Sequence, residues 1–241
     1  MLELVYRDNY VVAINKPSGL LVHRSLIDKH ETQFAIQLTR DQIGQKVYPV
    51  HRLDKPTSGI LVFALSSEIA RQLTEQFTQG LIAKQYLALV RGYCAESGII
   101  DYPLQEQLDR IADALAESDK PPQEAITHYA TLAQAELPWA VGRYPTARYS
   151  LMALEPKTGR KHQLRRHMKH IFHPIIGDTT HGDGKHNQLF RQRFNCQRLL
   201  LHATRLVLTH PIDGQVLTLN AALPDDFAHL LKQLGMNSVS S

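Results

Sequence analysis

An α+β fold is predicted for this chain, and three observations point to it. Short runs rich in β-branched and aromatic residues recur along its length, most of them too brief for helices. Tight polar turns built from Pro, Gly, Asn and Asp punctuate those runs. A few longer segments instead carry apolar residues at helical spacing, with capping residues at their ends. The 241 residues suffice to bury a sizeable core and are expected to form one domain over 1–241, or one with a minor lobe.

Taken in order, Leu2–Tyr6 and Tyr10–Ile14 read as strands around the polar turn Arg7-Asp8-Asn9. Asn15-Lys16-Pro17-Ser18-Gly19 stops the second. Leu20–His23 resumes as a short strand, and Thr32–Ile43 reads as a helix. Val47–Val50 and Ile60–Ala64 are strand-like. After them Ser66 and Ser67 offer N-cap hydroxyls, Ile69, Leu73 and Phe77 follow at helical spacing, and Gly80 ends the run. Lys84–Gly92, Ala125–Ala133 and Ala147–Leu154 read as strands, with 137–145 as a loop. An acidic helix and loop is expected from Leu104 to about Pro122. Thr158–His167 opens a helix after the Gly159 turn, with Leu164, Met168 and Ile171 as its buried stripe. His210–Gly214 turns into the strand Val216–Leu219, and Asp225–Leu234 closes the chain as a helix. No internal repeat, low-complexity tract or linker interrupts this order.

Composition excludes several classes. No apolar run approaches the roughly 20 residues needed to span a bilayer. Met1-Leu2-Glu3-Leu4 lacks the basic start of a secretory signal. Cys94 and Cys196 stand far apart and read as free thiols of a cytoplasmic protein. The net charge of +4 hides a strong segregation: residues 157–173 hold six Lys or Arg and no acid, whereas 101–119 hold six acids and one Arg. Such a basic segment suits a polyanion such as nucleic acid, although a charge run is more often a solvated helix face.

The chemistry concentrates in His51-Arg52-Leu53-Asp54-Lys55-Pro56-Thr57-Ser58-Gly59. Pro56 fixes its own φ and keeps Lys55 out of the helical region, while Gly59 can take positive φ. Asp54 is therefore mounted on a stiff turn between two strands, with Arg52 and Lys55 as neighbouring cations that favour its ionised form. A nucleophile or base would be held in this way; capping of the turn is the commoner use of such an Asp. In the 158–167 helix, Arg165 lies beside the apolar stripe. Drawn inside, it needs an anionic partner, because an isolated interior charge is very costly. Lys161, Arg166 and Lys169 can stay in water. His167, His170 and His173 are spaced by three with no acid among them, unlike zinc-protease helices, and no metal site is expected there.

The nine residues 51–59 resemble the central motif of the RluA-type pseudouridine synthases, whose catalytic aspartate is the Asp of that run, here Asp54. Asn15–Gly19 resembles that family's first motif, which supports the catalytic loop. Lys84–Gly92 is similar to a segment whose tyrosine, here Tyr86, lines the uridine pocket. Thr158–His167 resembles a motif whose arginine after Leu, here Arg165, pairs with the catalytic aspartate. Pro174–Asp178 and Arg198–Ala203 match two further motifs, so that the likeness runs in family order from Asn15 to about Leu223.

The resemblance implies a pseudouridine synthase fold, a long, mostly antiparallel mixed sheet with flanking helices and a central basic cleft. It implies an isomerase that breaks the bond between uracil and ribose, turns the base and rejoins it through carbon 5, with no cofactor and no metal. Asp54 would act as nucleophile or base; attack at the anomeric carbon, addition to the ring and glycal formation all stay open. Tyr86 would stack on the flipped uracil, Arg165 would keep Asp54 charged and aimed, and Arg52 would help replace the extruded base. Lys55, Lys161, Arg166 and Lys169 are the further RNA-binding candidates. With a first strand at Leu2, a single catalytic domain without a separate N-terminal RNA-binding domain is expected, as a monomer and without a membrane. Three stretches resemble the TruC-type tRNA branch more closely than the ribosomal-RNA branches: Leu21–Ser25, Arg143–Tyr149, and Lys157–His167 with Gly177–Asp183. That branch modifies uridine 65 in the T-arm stem, so tRNA is the expected partner and ribosomal RNA the alternative. A glycosidase would need a second carboxylate about 5–10 Å from the first, which no motif supplies. A non-catalytic RNA-binding protein would leave Asp54 opposite an interior Arg without a purpose.

Overall fold

The structure is a computed structural model that describes residues 1–23, 31–106 and 121–236. Its elements are β1 (Glu3–Arg7), β2 (Val11–Lys16), α1 (Ala35–Ile43), β3 (Tyr48–Pro49), β4 (Ser58–Ala64), α2 (Ser67–Thr78) and β5 (Ala83–Arg91). There follow β6 (Ser97–Asp101), β7 (Ile126–Leu137), β8 (Ala147–Pro156), α3 (Gln163–His170), α4 (Gly184–Phe194), β9 (Leu201–Thr209), β10 (Val216–Asn220) and α5 (Asp225–Gln233). The described strands make a large mixed sheet of ten, accompanied by five helices, in agreement with the α+β expectation. The chain divides into two compact units, one of Met1–Lys84, Pro103–Glu124 and Ala203–Ala222, the other of Gln85–Tyr102, Ala125–His202 and Leu223–Ser241.

In the first unit, β2 lies antiparallel between β1 and β4, in register Val12 to Phe63 and Ile14 to Leu61. The Arg7-Asp8-Asn9 turn forms because the Asp8 carboxylate accepts the N–H groups of Tyr10 (2.7 Å) and Val11 (2.6 Å). Every residue of β4 is buried. Ile60, Val62 and Ala64 on it join Val11 and Ala13 from β2, Leu206 and Leu208 from β9, and Ile69 and Leu73 from α2 in one core. Each such Ile or Leu, once enclosed, contributes about 1.5–3 kcal/mol. The Ser66 hydroxyl accepts the Ile69 N–H at 3.3 Å and starts α2 as expected. Leu20–His23 departs from expectation. It forms no strand, because its carbonyls are taken by a helix start: Leu21 and Val22 accept the N–H groups of Ala35 (2.8 Å) and Ile36 (3.1 Å). Phe34 at the N-cap of α1 offers no side-chain acceptor, so the preceding segment satisfies those donors instead.

In the second unit, β8 lies antiparallel between β5 and β7, and β6 pairs β7. Alternation along β5 sends Leu87 and Leu89 to one face, with Tyr149 and Leu151 of β8, Phe190 of α4 and Phe227, Leu230 and Leu231 of α5. Ala88 and Val90 go to the other, with Met152 and Leu154 of β8 and Leu164 and Met168 of α3. Helices thus cover both faces, and the expected stripe on α3 is the buried one. α4 and β6 were not anticipated, and β7 runs on to Leu137. Four of the acids in 101–119, together with Arg24 and Ser25, fall outside the described residues. Among those described, no helix is long and apolar enough to cross a membrane, and Cys94 and Cys196 are both free.

Candidate active site

Asp54 sits partly exposed at the tip of the connection between β3 and β4, and its carbonyl accepts the Thr57 N–H at 3.0 Å to close the turn. The 15–19 segment clamps this turn from below. The Lys16 ammonium, wholly buried, donates to the carbonyls of Pro17 (2.9 Å), Leu20 (2.8 Å) and Lys55 (3.2 Å). The Gly19 N–H also reaches the Lys55 carbonyl at 2.9 Å, and the Ser18 hydroxyl donates to the Pro56 carbonyl at 2.7 Å. The two residues that follow Asp54 are therefore fixed through their own backbone.

On the other flank, His51 Nε2 accepts the Val62 N–H at 2.9 Å while its ring stacks on Phe77, with centroids 4.5 Å apart. Burial, and then the Lys84 ammonium, push the His51 imidazole down to about 3. It stays neutral, as the acceptor role of Nε2 requires. At Gly59 φ is +113°, and a Cβ there would collide with the backbone of Ala203. A side chain is excluded on both counts.

Tyr86 and Arg165 belong to the second unit, on the same face of its sheet. Tyr86 is half-buried on β5, opposite Leu154, against the cluster that holds Leu164 and Met168 of α3. Arg165 is drawn inside, as expected. Its Nε donates to Asp178 Oδ2 at 2.7 Å and its Nη2 to Oδ1 at 2.9 Å, with the two side chains 4% and 1% exposed. The anionic partner demanded by burial is thus supplied by Asp178, to which sequence reasoning gave no role. Burial pushes the Asp178 carboxyl up, but the Arg165 fork and the N–H groups of His181 and Thr180 outweigh it and hold the group below the usual carboxylate range.

Gln163 and His167 of the 158–167 motif fasten its helix. The Gln163 amide donates to the Ile126 carbonyl (3.0 Å) and Thr127 Oγ1 (3.1 Å), and its oxygen accepts from Thr158 Oγ1 (2.7 Å) and the Arg160 N–H (3.0 Å). His167 contacts Thr127 Oγ1 through Nδ1 (2.9 Å) and the Tyr102 carbonyl through Nε2 (3.0 Å). His170 stacks on Tyr102, and His173 Nδ1 meets the Arg91 carbonyl at 2.8 Å. Tyr102 is thus shared by His167 and His170, while His173 meets Arg91. Next to the Arg165 pair, His162 Nδ1 lies 3.0 Å from His181 Nε2. Burial takes His181 down to about 4, against the pull of Asp178.

Of the RNA-binding candidates, Arg52 and Lys169 are exposed, while Lys161 and Arg166 are half-buried. Burial lowers the Arg166 guanidinium, with Tyr102 opposing. Lys55, on the catalytic turn, is 3.1 Å from the Glu31 carboxylate. Sequence reasoning overlooked Asp178, and a long-range contact positions it. It follows Gly177, where φ is +82° and a Cβ would collide with the Arg198 carbonyl. Asn187 then ties the turn, accepting the Gly177 N–H and donating to the Asp178 carbonyl, both at 2.8 Å.

With this geometry in view, the chain matches the RNA pseudouridylate synthase family over residues 10–170, two thirds of its length and inclusive of Asp54, Tyr86 and Arg165. The chain belongs to that family. Pseudouridine synthases are isomerases, and this chain is an enzyme of that class. Curated relatives match it nearly end to end. It is 57% identical over 240 residues to "tRNA pseudouridine synthase C" of Yersinia pestis, with 100% of this chain and 93% of that protein covered. Its counterpart of the same description in Vibrio cholerae is also 57% identical, over 98% of this chain and 96% of that one. Among solved structures, human RNA pseudouridylate synthase domain containing 4 superposes with a TM-score of 0.72 at 26% identity, covering 97% of this chain and 93% of the human one.

Proposed function

We propose that this enzyme converts uridine to pseudouridine in tRNA, at uridine 65 of the T-arm stem, in the cytoplasm and as a single catalytic domain acting alone. Support comes chiefly from the near full-length identity to relatives described as tRNA pseudouridine synthase C. Asp54 is the catalytic carboxylate. Its turn is clamped through Lys55 and Pro56, so the carboxylate is presented without freedom to fold back. Tyr86 stacks on the flipped uracil, and Arg165, its direction set by Asp178, serves as the cation for Asp54. The bond between ribose C1′ and uracil N1 breaks, the base turns within the site and C1′ bonds to carbon 5. Carbon 5 gives up a proton and N1 takes one up, so atoms balance without a co-reactant while uracil and ribose both stay bound. Arg52, Lys55, Lys161, Arg166 and Lys169 contact RNA. Opening a paired uridine costs a few kcal/mol, offset by stacking and phosphate contacts. Stem recognition goes by shape and backbone, so folded tRNA is a better substrate than an isolated T-arm hairpin, and binding weakens steeply with salt.

The test offers wild-type enzyme and Asp54→Asn unmodified tRNA and ribosomal RNA side by side. Wild type is expected to place pseudouridine in tRNA at position 65, and Asp54→Asn to bind tRNA but leave uridine unchanged. Pseudouridine in ribosomal RNA alone would overturn the substrate, and near wild-type tritium release by Asp54→Asn would overturn the assignment of the carboxylate.

A further inference from the structure

The second unit holds a cavity of about 670 Å³ lined partly by residues 143–148 and Asp183, to which no role has been given above. It lies where the end of β5, the β7–β8 connection and the start of α4 meet. Its lining carries four cations, Arg91, Arg143, Arg148 and Lys185, against one carboxylate, Asp183. Two of the cations are occupied. Arg91 is 2.6 Å from Asp183 and also donates to the Phe172 carbonyl at 3.0 Å. Arg148 is 3.3 Å from Glu136 and lies over the ring of Tyr93.

The other two are not neutralised. Arg143 donates to the Tyr144 hydroxyl at 2.8 Å and meets no carboxylate, and the exposed Lys185 ammonium has no acidic partner, among the described residues in both cases. Nor does the helix start add a vacant donor, because Asp183 already accepts the N–H groups of Lys185 (3.0 Å) and His186 (3.4 Å). His186 contributes no charge, since burial lowers its imidazole.

Beside these cations stands an aromatic ring with little to pack on. Tyr144 is 59% exposed, presented by a turn that Gly142 makes possible at φ +69° and that a bridge between Val141 and Tyr144 closes. The Arg143 guanidinium lies 5.0 Å from the ring centroid, which leaves a face for a flat partner. Unneutralised cations beside an open aromatic face match a phosphate joined to a base. Site volumes of about 300–1,000 Å³ take small-molecule-sized ligands, which here means one nucleotide and excludes a duplex stem.

We propose that this cavity takes one unpaired, phosphorylated nucleotide of the RNA substrate, its base stacked on Tyr144 and its phosphate held by Arg143 and Lys185. The inference rests on the proposed RNA substrate but names a contact separate from the Asp54 turn. Such a contact reads no base edge and so tolerates any base.

Ultraviolet crosslinking of wild-type enzyme to unmodified tRNA, followed by peptide mass spectrometry, is expected to place a crosslink on the peptide that holds Tyr144. Equilibrium binding to the same tRNA across a salt series supplies the second arm. Tyr144→Ala is expected to weaken binding roughly tenfold. The double change Arg143→Ala/Lys185→Ala is expected to reduce the slope of log affinity on log salt by about 0.7, the value for the one single-strand phosphate that the two cations hold. Lys46→Ala/Lys232→Ala, which removes equal charge from exposed sites elsewhere, is expected to leave the slope alone. An uncrosslinked Tyr144 peptide, or a double variant with the slope of the Lys46/Lys232 control, overturns the proposal; should a variant not fold, the wild-type crosslink decides. Wild type that modifies tRNA while both arms fail loses this nucleotide contact only. A crosslink without any pseudouridine leaves the contact standing and removes the proposed reaction on tRNA.

Discussion

Asp178→Asn removes one charge from the interior and almost no volume, so its effect isolates the ion pair with Arg165. Both side chains are nearly solvent-free, and the guanidinium engages both carboxylate oxygens. Removing one partner of such a pair costs about 3–5 kcal/mol, mostly because the remaining charge loses the contact that offsets its burial. The asparagine keeps one oxygen, which can still accept the Thr180 and His181 N–H groups, so the loss belongs at the lower end, about 3 kcal/mol. Total stability of a folded domain is only about 5–15 kcal/mol. At this chain length each kcal/mol moves Tm by about 2–4 °C, and Asp178→Asn should therefore melt about 6–12 °C below wild type.

Circular-dichroism melts and urea titrations at pH 7, run with Arg165→Gln and the double variant, provide the assay. If the two side chains depend on each other, the double variant loses clearly less than the sum of the singles. The acid limb gives a second check. A carboxyl held below its ordinary value of 3.8 stabilises the fold above that pH and loses the contribution as pH falls through the folded value. Asp178→Asn should remove that part of the acid sensitivity. A variant within about 0.5 kcal/mol of wild type, or singles that simply add, would refute the energetic role given to the pair.

Other perturbations follow from the same geometry. Because His181 titrates near 4 when folded and at 6.5 ordinarily, only the unfolded chain takes up this proton between those values. Stability is complete above pH 6.5 and should decline by up to about 3 kcal/mol toward pH 4; His51, at about 3, acts in the same direction. His181→Gln should flatten this decline in urea midpoints, and a wild-type midpoint constant from pH 7 to 4.5 would contradict it. Gly59→Ala meets the Ala203 backbone at a positive φ and should cost at least the about 1–3 kcal/mol of overpacking, whereas Gly159→Ala, with nothing within 4 Å, should melt with wild type. Equal melting temperatures for the two would remove the explanation offered for Gly59.

How much could be read from the chain depended on how local the cause was. Helix α2 was legible because its hydroxyl cap, its Ile69-Leu73-Phe77 spacing and its terminal Gly80 all lie in one window. The stiff turn around Asp54 was legible for the same reason, since Pro56 and Gly59 act on their immediate neighbours. Helix α4 was not. Its described buried residues are Asn187 and Phe190, and the former is buried for its bonds to Gly177 and Asp178. A buried amide gives no apolar period to detect. Leu20–His23 misled in the opposite sense, for its apolar run resembles a strand while its carbonyls serve the start of α1.

The partner of Arg165 shows where local reasoning stops. Burial of an arginine beside the Leu164–Met168 stripe follows from helical spacing, and the need for an anion follows from the cost of an interior charge. Which anion meets it depends on Gly177, whose close approach to the Arg198 carbonyl sets the turn, and on Asn187, which ties that turn to α4. Thr158, Gln163 and His167 work alongside by fastening α3 to the strand edge at Ile126 and Thr127, and to Tyr102. Ten residues of one motif thus divide their labour. Three polar side chains hold the helix to its sheet, Leu164 buries it together with Met168 just past the motif, and the arginine they fix in place is aimed by an aspartate from outside the motif. A substitution at Gln163 or Asp178 should then act through where Arg165 points, without touching RNA at all.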